Sequence, residues 1–169
     1  MVNKANQPLE FGTIQTVFRH NLWANLQLFE VCSRLNADQL NSTVIGVYGS
    51  IYETLEHIAS AERSYWNRLM TGKPYRSPEG APKPTVAELQ ESIRLSGGGL
   101  IDIAPRVQAK DVVERDLDGT PYQIPCAIIL TQVINHATEH RAQIMVMLTQ
   151  LGIQPPELDG WAYFDKVVK

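Results

Sequence analysis

The chain has 169 residues, 44% of them hydrophobic, which suits one domain around one continuous core and argues against a second full-sized domain. Its 15 Lys and Arg against 18 Asp and Glu give a net charge of −3. No basic surplus exists to displace counterions from phosphate, which disfavours non-specific nucleic-acid binding. No uninterrupted apolar run reaches the ~18 residues of a membrane-span candidate, and Met1 to Glu10 lacks the apolar stretch of a secretory signal. The expectation is a soluble, cytoplasmic protein with no membrane and no nucleic acid among its partners.

The first predicted element is a long amphipathic helix from Thr13 to Leu35, with Ile14, Val17, Leu28, Val31 and Leu35 on one stripe. Asn21 and Asn25 interrupt that stripe, and inward-facing amides need partners from the backbone, water or a ligand. With Trp23 they are the candidates for contacts in a substrate pocket, although Trp23 also reads as a packed or interface aromatic. A second helix opens at Ser50-Ile-Tyr-Glu53, a capping box, and runs to about Met70. Ile51, Leu55, Ile58, Tyr65 and Leu69 form its buried face, with Glu56, Arg63 and Asn67 opposite. Glu62 lies within the apolar stripe, where an ionised carboxylate needs a donor or its pKa rises.

Thr71 to Pro84 is too rich in Pro and Gly for anything but a loop. Thr85-Val-Ala-Glu88 is a second capping box, opening a helix with Val86, Leu89 and Ile93 inward; Gly97, Gly98 and Gly99 either break it or let it continue to Ala104. Asp111 to Leu117 and Tyr122 to Ile124 have extended character around Asp118-Gly119, a dipeptide suited to a tight hairpin turn. Pro125 fits the first turn of a last long helix ending near Leu151-Gly152, with Gly at the C′ position and Pro155 beyond. The tail from Pro156 to Lys169 adds one short helix. Four long helices without a repeated βαβ pattern define the expected fold. It is an all-α antiparallel four-helix bundle with a small β-hairpin before the last long helix and a short C-terminal helix, one domain over residues 1–169.

Two of the four histidines, His136 and His140, fall within or beside the inward face of the last helix, marked by Ile129, Val133, Ala137, Ile144, Met147, Leu148 and Leu151. Four residues apart, their rings sit one turn from each other on the same side, where both can grip one ion at about 2.0–2.1 Å. They also read as two core histidines bonded to neighbours. A third ligand must come from another helix, and His57, at the edge of the second helix's apolar face, is the candidate. Three neutral imidazoles leave a position for water or substrate, unlike a closed structural tetrad. Zn, Ni, Fe and other divalent ions all accept imidazole, with zinc and nickel foremost. His20 lies beside the first helix's stripe and reads as a partly exposed polar residue or a donor to a neighbour.

The two cysteines, Cys32 and Cys126, form no Cys-x-x-Cys pair, which excludes a disulfide scaffold or a four-thiolate zinc site. Cys126 is near a helix N-terminus, a position that can depress a thiol pKa, but Cys-Ala-Ile-Ile-Leu reads as buried packing. It also lies about 15 Å along the axis from His136.

Nearly the whole chain resembles the DinB family of bacterial proteins, which includes YfiT-like metal-dependent hydrolases and bacillithiol transferases. The resemblance is carried by His20-Asn-Leu-Trp-Ala-Asn25, by Leu55-Glu-His57-Ile-Ala-Ser-Ala-Glu62-Arg-Ser-Tyr-Trp66, by Asn135-His136-Ala-Thr-Glu-His140-Arg-Ala-Gln143-Ile and by Leu151-Gly-Ile-Gln-Pro-Pro156. It implies a four-helix bundle, commonly a homodimer, and a metal held by His57, His136 and His140. Where relatives often carry Tyr in the first-helix motif, this chain has His20. The family's damage-inducible label concerns expression, not DNA binding.

Three functions compete. In the first, a metal-dependent thiol S-transferase or hydrolase, the ion lowers the pKa of a bound water or low-molecular-weight thiol to make a nucleophile near neutral pH. The second is a peptidase, since His136-Ala-Thr-Glu139-His140 matches the order of inverted zincins. Those enzymes need a further carboxylate ligand well downstream, and Glu139 projects away from the apolar centre. The third is a non-catalytic, metal-binding, dimeric stress-associated protein whose ion stabilises the bundle.

Overall fold

A computed structural model of the chain describes residues 10–117 and 120–168; the expected turn at Asp118-Gly119 lies outside them. In chain order the elements are α1 (Thr13–Cys32), a single turn α2 (Ala37–Leu40), α3 (Ile51–Thr71) and α4 (Val86–Ile103), the last running into a 3-10 turn over Ala104–Arg106. The strands β1 (Val112–Leu117) and β2 (Thr120–Pro125) follow, then α5 (Cys126–Gln150) and α6 (Gly160–Tyr163), which leads into a π-helical turn over Phe164–Val168. Four long helices form the bundle, and the strands pair as an antiparallel hairpin with Val113 opposite Ile124. No helix among the described residues is long and apolar enough to cross a membrane.

Local chemistry sets the boundaries. Glu53 N–H donates to Ser50 Oγ and Ser50 N–H to Glu53 Oε2, closing the capping box that starts α3, and Thr85 with Glu88 does the same for α4. α5 stops at Gly152, whose φ of 72° only glycine adopts freely. Pro125 stands at the N-cap as the last strand residue, one position earlier than expected. α2, absent from the expectations, is opened by a capping box between Asn36 and Gln39.

The glycine run does not break α4. A Cβ on Gly97 would lie 2.6 Å from Leu22 Cδ1, and one on Gly99 would lie 2.2 Å from Trp66 Nε1. These two glycines let α4 approach α1 and α3 more closely than any side chain allows, and packing recovers the helix propensity they forfeit.

Two apolar clusters show how the helices run. One joins Leu28, Phe29 and Cys32 at the end of α1 to the starts of α3 and α4 (Ile51, Leu55, Leu89, Ile93) and the end of α5 (Ile144, Met147, Leu148). The other joins Phe18 near the start of α1 to the ends of α3 and α4 (Trp66, Leu69, Leu100, Ile101) and the start of α5 (Leu130, Val133). α1 and α4 are therefore one antiparallel pair and α3 and α5 another, while α3 and α4 run in the same direction. The Pro- and Gly-rich loop must then travel back along the bundle. α3 is roughly 30 Å long, and residues 72–85, fully extended, reach about 45 Å. Tyr52 at the start of α3 fastens its far end by donating to Pro84 O at 2.7 Å.

α1 departs from its expected stripe. Phe18, Asn21, Ala24, Asn25, Leu28, Phe29 and Cys32 are buried, whereas Ile14 and Val17 are 39% and 38% exposed and line a surface groove against Ala104–Ala109. The helix ends before Leu35. Partners on α3 and α5 hold the two asparagines inward, and this sets the rotation of α1.

Candidate metal centre

α3 packs along α5, and the site lies on that seam. His57 comes from the second turn of α3; His136 and His140 come from successive turns of α5. One nitrogen from each ring lies within 4.8 Å of the other two, and the ring centroids are 4.5 to 4.7 Å apart. His136 Nε2 and His57 Nε2 are 2.9 Å apart. Neighbouring nitrogens on one ion, with bonds of about 2.0–2.1 Å, stand roughly 2.9–3.4 Å apart, so this pair already has the spacing of two ligands.

The electrostatics favour the neutral, ligating form. Burial, then the neighbouring His140 and His57, push the His136 pKa down to about 4. Burial and His140 also lower that of His57. For His140 the tautomer follows from its partner. Gln143 Oε1 accepts from the Tyr48 N–H at 3.2 Å, which fixes that atom as the oxygen, and it lies 2.9 Å from His140 Nδ1. Nδ1 is therefore the donor, leaving the Nε2 lone pair for an ion. The three rings fit a divalent cation by donor type and spacing.

Tyr48 and Gln143 belong to this site and were not singled out as candidates from the sequence. The Tyr48 ring stacks on His57 with centroids 4.0 Å apart and meets His140 edge-on at 5.3 Å. Gln143 stands one turn after His140, a spacing that was visible, whereas Tyr48 lies in the loop before α3 and carries no periodic signal. A cavity of about 450 Å³, lined by Tyr48, Glu53, Glu56, His57 and Ser60, opens beside the rings.

The residues expected in a substrate pocket lie elsewhere. Asn21 and Asn25 are buried and donate from Nδ2 to Glu62 Oε2 at 3.2 and 3.0 Å, while their Oδ1 atoms accept from Arg141 Nη1 at 2.7 Å each. Glu62 Oε1 accepts from Ser96 at 2.8 Å. Burial pushes the Glu62 carboxyl up to about 7, against the lowering effects of Ser96, Arg141 and the two asparagines. Its place in the apolar stripe of α3 is thus explained by donors from α1 and α4. Arg141, only 5% exposed, is the buried cation that sequence reasoning passed over.

Trp23 packs with His20 and Tyr163 at centroid distances of 5.9 and 5.4 Å under the C-terminal segment. His20 Nε2 pairs with Leu158 O at 2.8 Å and is not part of the imidazole cluster. Glu139 is exposed. Cys126 is buried, and burial with the nearby Asp111 charge raises its thiol pKa, the opposite of nucleophile activation.

The chain is similar to known proteins over most of its length. Protein DinB of Bacillus subtilis (strain 168) is 22% identical over 157 residues, spanning 87% of this chain and 91% of its own length. The crystal structure of a DinB-like protein from Bacillus cereus ATCC 10987 superimposes with a TM-score of 0.60 at 18% identity, covering 83% of this chain and 92% of that one, and so shares its fold. The sequence profile of the DinB family matches residues 1–166, and the chain accordingly belongs to the DinB family.

Proposed function

We propose that the protein binds one divalent ion, zinc or nickel, through His57, His136 and His140, and works as a thiol S-transferase or hydrolase on a small-molecule substrate, with a low-molecular-weight thiol as first choice. The observation that carries this reading is the convergence of three imidazoles, one nitrogen from each within 4.8 Å of the others. A divalent ion supplies Lewis acidity there, lowering the pKa of a thiol or water so that it is a nucleophile near neutral pH. The chain's own residues do the rest. Gln143 holds the His140 tautomer, Tyr48 covers one face of His57, and the cavity beside them has room for a small substrate.

A non-catalytic reading has one observation in its favour: the ligands come from two helices, so an ion would clamp α3 to α5 whether or not anything turned over. Assembly as a homodimer accompanies either reading and is measured by sedimentation. Elemental analysis of untagged protein, beside His57→Ala and His136→Ala, tests the shared step; about one ion per chain in wild type and almost none in the variants is the expected result. Assays of the metal-loaded protein with several thiols and electrophiles then separate the two readings. Turnover lost in both variants supports the enzyme, and uniform inactivity with retained metal supports the structural ion.

A further inference from the structure

The bundle carries a second polar assembly. Asn21 and Asn25 from α1, Glu62 from α3, Ser96 from α4 and Arg141 from α5 form a belt through its middle, each at most 5% exposed, with one apolar cluster on either side. Every long helix contributes. The belt reaches the metal-site helices at the level of the ligands: Arg141 directly follows His140, and Glu62 lies about 7.5 Å along the axis from His57. We infer that these five residues are positioning residues for the imidazole cluster, setting the register of α3 against α5 and with it the distance from His57 to His136 and His140. This rests on the metal-binding reading proposed above.

The bonding pattern supports it. Arg141 and Glu62 are joined through two carboxamides, each presenting Oδ1 to the guanidinium and Nδ2 to the carboxylate, so both amide dipoles align with the field of the pair. Such bridges have a set length. Apolar contacts in the neighbouring layers are non-directional, whereas a 2.7 Å hydrogen bond to a buried guanidinium tolerates almost no axial slip. Arg141 also donates from Nη2 to Thr138 Oγ1 at 2.9 Å, gripping its own helix at the residue midway between His136 and His140. The four helices are thereby pinned at one height beside the three rings.

The test separates positioning from bulk stability. Zn²⁺ affinity, by chelator competition well below the lowest melting temperature, and the visible bands of the Co²⁺-loaded site are measured for wild type, Asn21→Ala, Asn25→Ala and Ser96→Ala. The control is Ile93→Ala, a buried apolar site on α4, which carries no imidazole. The asparagine variants are expected to lose about tenfold in affinity, the scale seen when partners that orient metal ligands are removed, and to shift the Co²⁺ bands. Ser96→Ala, the mildest change, keeps the test usable if the others do not fold, and should give a few-fold loss. Ile93→Ala should lower the melting temperature and leave both metal readouts at wild-type values. Unchanged affinity and bands in the folded belt variants, or an equal loss in Ile93→Ala, overturn the inference alone. Wild type that binds neither ion overturns the metal-binding reading and this inference with it.

Discussion

The imidazole cluster and the buried belt share α3 and α5, but they meet their polar requirements in different ways. In the belt, Glu62 and Arg141 are surrounded by donors and acceptors from α1, α4 and α5. The buried side-chain atoms left without a partner among the described residues, Arg19 Nε and Trp66 Nε1, lie outside it. In the cluster, by contrast, His57 Nε2 and His136 Nε2 face each other at 2.9 Å, where only one proton fits between two lone pairs. A neutral Nε2–H on one ring can donate to the lone pair of the other, so a single proton holds the pair together, and lowered pKa values on both rings keep a second proton off it. The belt's bonds are used up within the fold, whereas the one proton shared by the two imidazoles is one that a divalent cation can replace.

The largest expected effect separates the two regions outright. Chelation should strip the ion and lower the melting temperature: an ion present at 1,000 times its Kd contributes about 4 kcal/mol, or roughly 8–16 °C for a chain of this size. His57→Ala should melt like chelated wild type and show no further response to chelator in calorimetry. A wild-type melting curve indifferent to chelator would leave the imidazoles without their proposed ion.

Next in size is the pH dependence of the metal-free protein, in which the two regions oppose each other. Glu62 has its folded pKa raised from the ordinary 4.5 to about 7. The folded state then holds a proton that the unfolded state has lost, and stability from this group falls as pH rises from about 4.5 to about 7, by on the order of 3 kcal/mol. His136 moves the other way. With its folded pKa lowered from 6.5 to about 4, protonation favours the unfolded chain, and stability falls as pH drops from about 6.5 to about 4. Urea unfolding between pH 4.5 and 7 should therefore show a shallow profile for wild type. Glu62→Gln should leave a net loss toward acid, and His136→Ala a net gain. Parallel profiles for all three proteins would contradict the assignment.

The capping boxes at Ser50 and Thr85, the stop at Gly152 and the His-x-x-x-His spacing were legible in the sequence because each depends on residues within one or two turns. The face of α1 was legible only in part: Asn21, Asn25 and Leu28 do face inward, but Ile14 and Val17 do not. Its stripe was read from Ile14 and Val17, but its rotation is set by Asn21 and Asn25 reaching partners on α3 and α5, 37 to 120 residues away. Arg141 escaped notice for a related reason: a lone cation beside an apolar face reads as solvated until its anion is located in space. Whether α4 breaks at Gly97 to Gly99 stayed open in the sequence because the side chains that need their space, Leu22 and Trp66, lie on other helices.

A smaller effect sharpens the contrast at the edge of the metal site. Gln143→Ala removes the acceptor that fixes the His140 tautomer and the Tyr48 backbone bond together. Metal affinity is expected to fall about tenfold, the lower end of what orienting partners contribute, with only a small change in metal-free stability. An affinity within twofold of wild type would show that helix packing alone orients His140.

The smallest change addresses whether metal affinity follows the stability of the bundle as a whole. A Cβ on Gly98 meets nothing within 4 Å, unlike those on its two neighbours. Gly98→Ala should therefore stabilise α4 by up to about 1 kcal/mol, the helix propensity that glycine gives up to alanine. It touches neither the imidazoles nor the belt, so a higher melting temperature with unchanged metal affinity is the expected pair of results. Affinity that rose in step with the melting temperature would mean that the cluster is assembled by overall tightness, and the distinction between its exchangeable proton and the self-satisfied belt would lose its mechanical meaning.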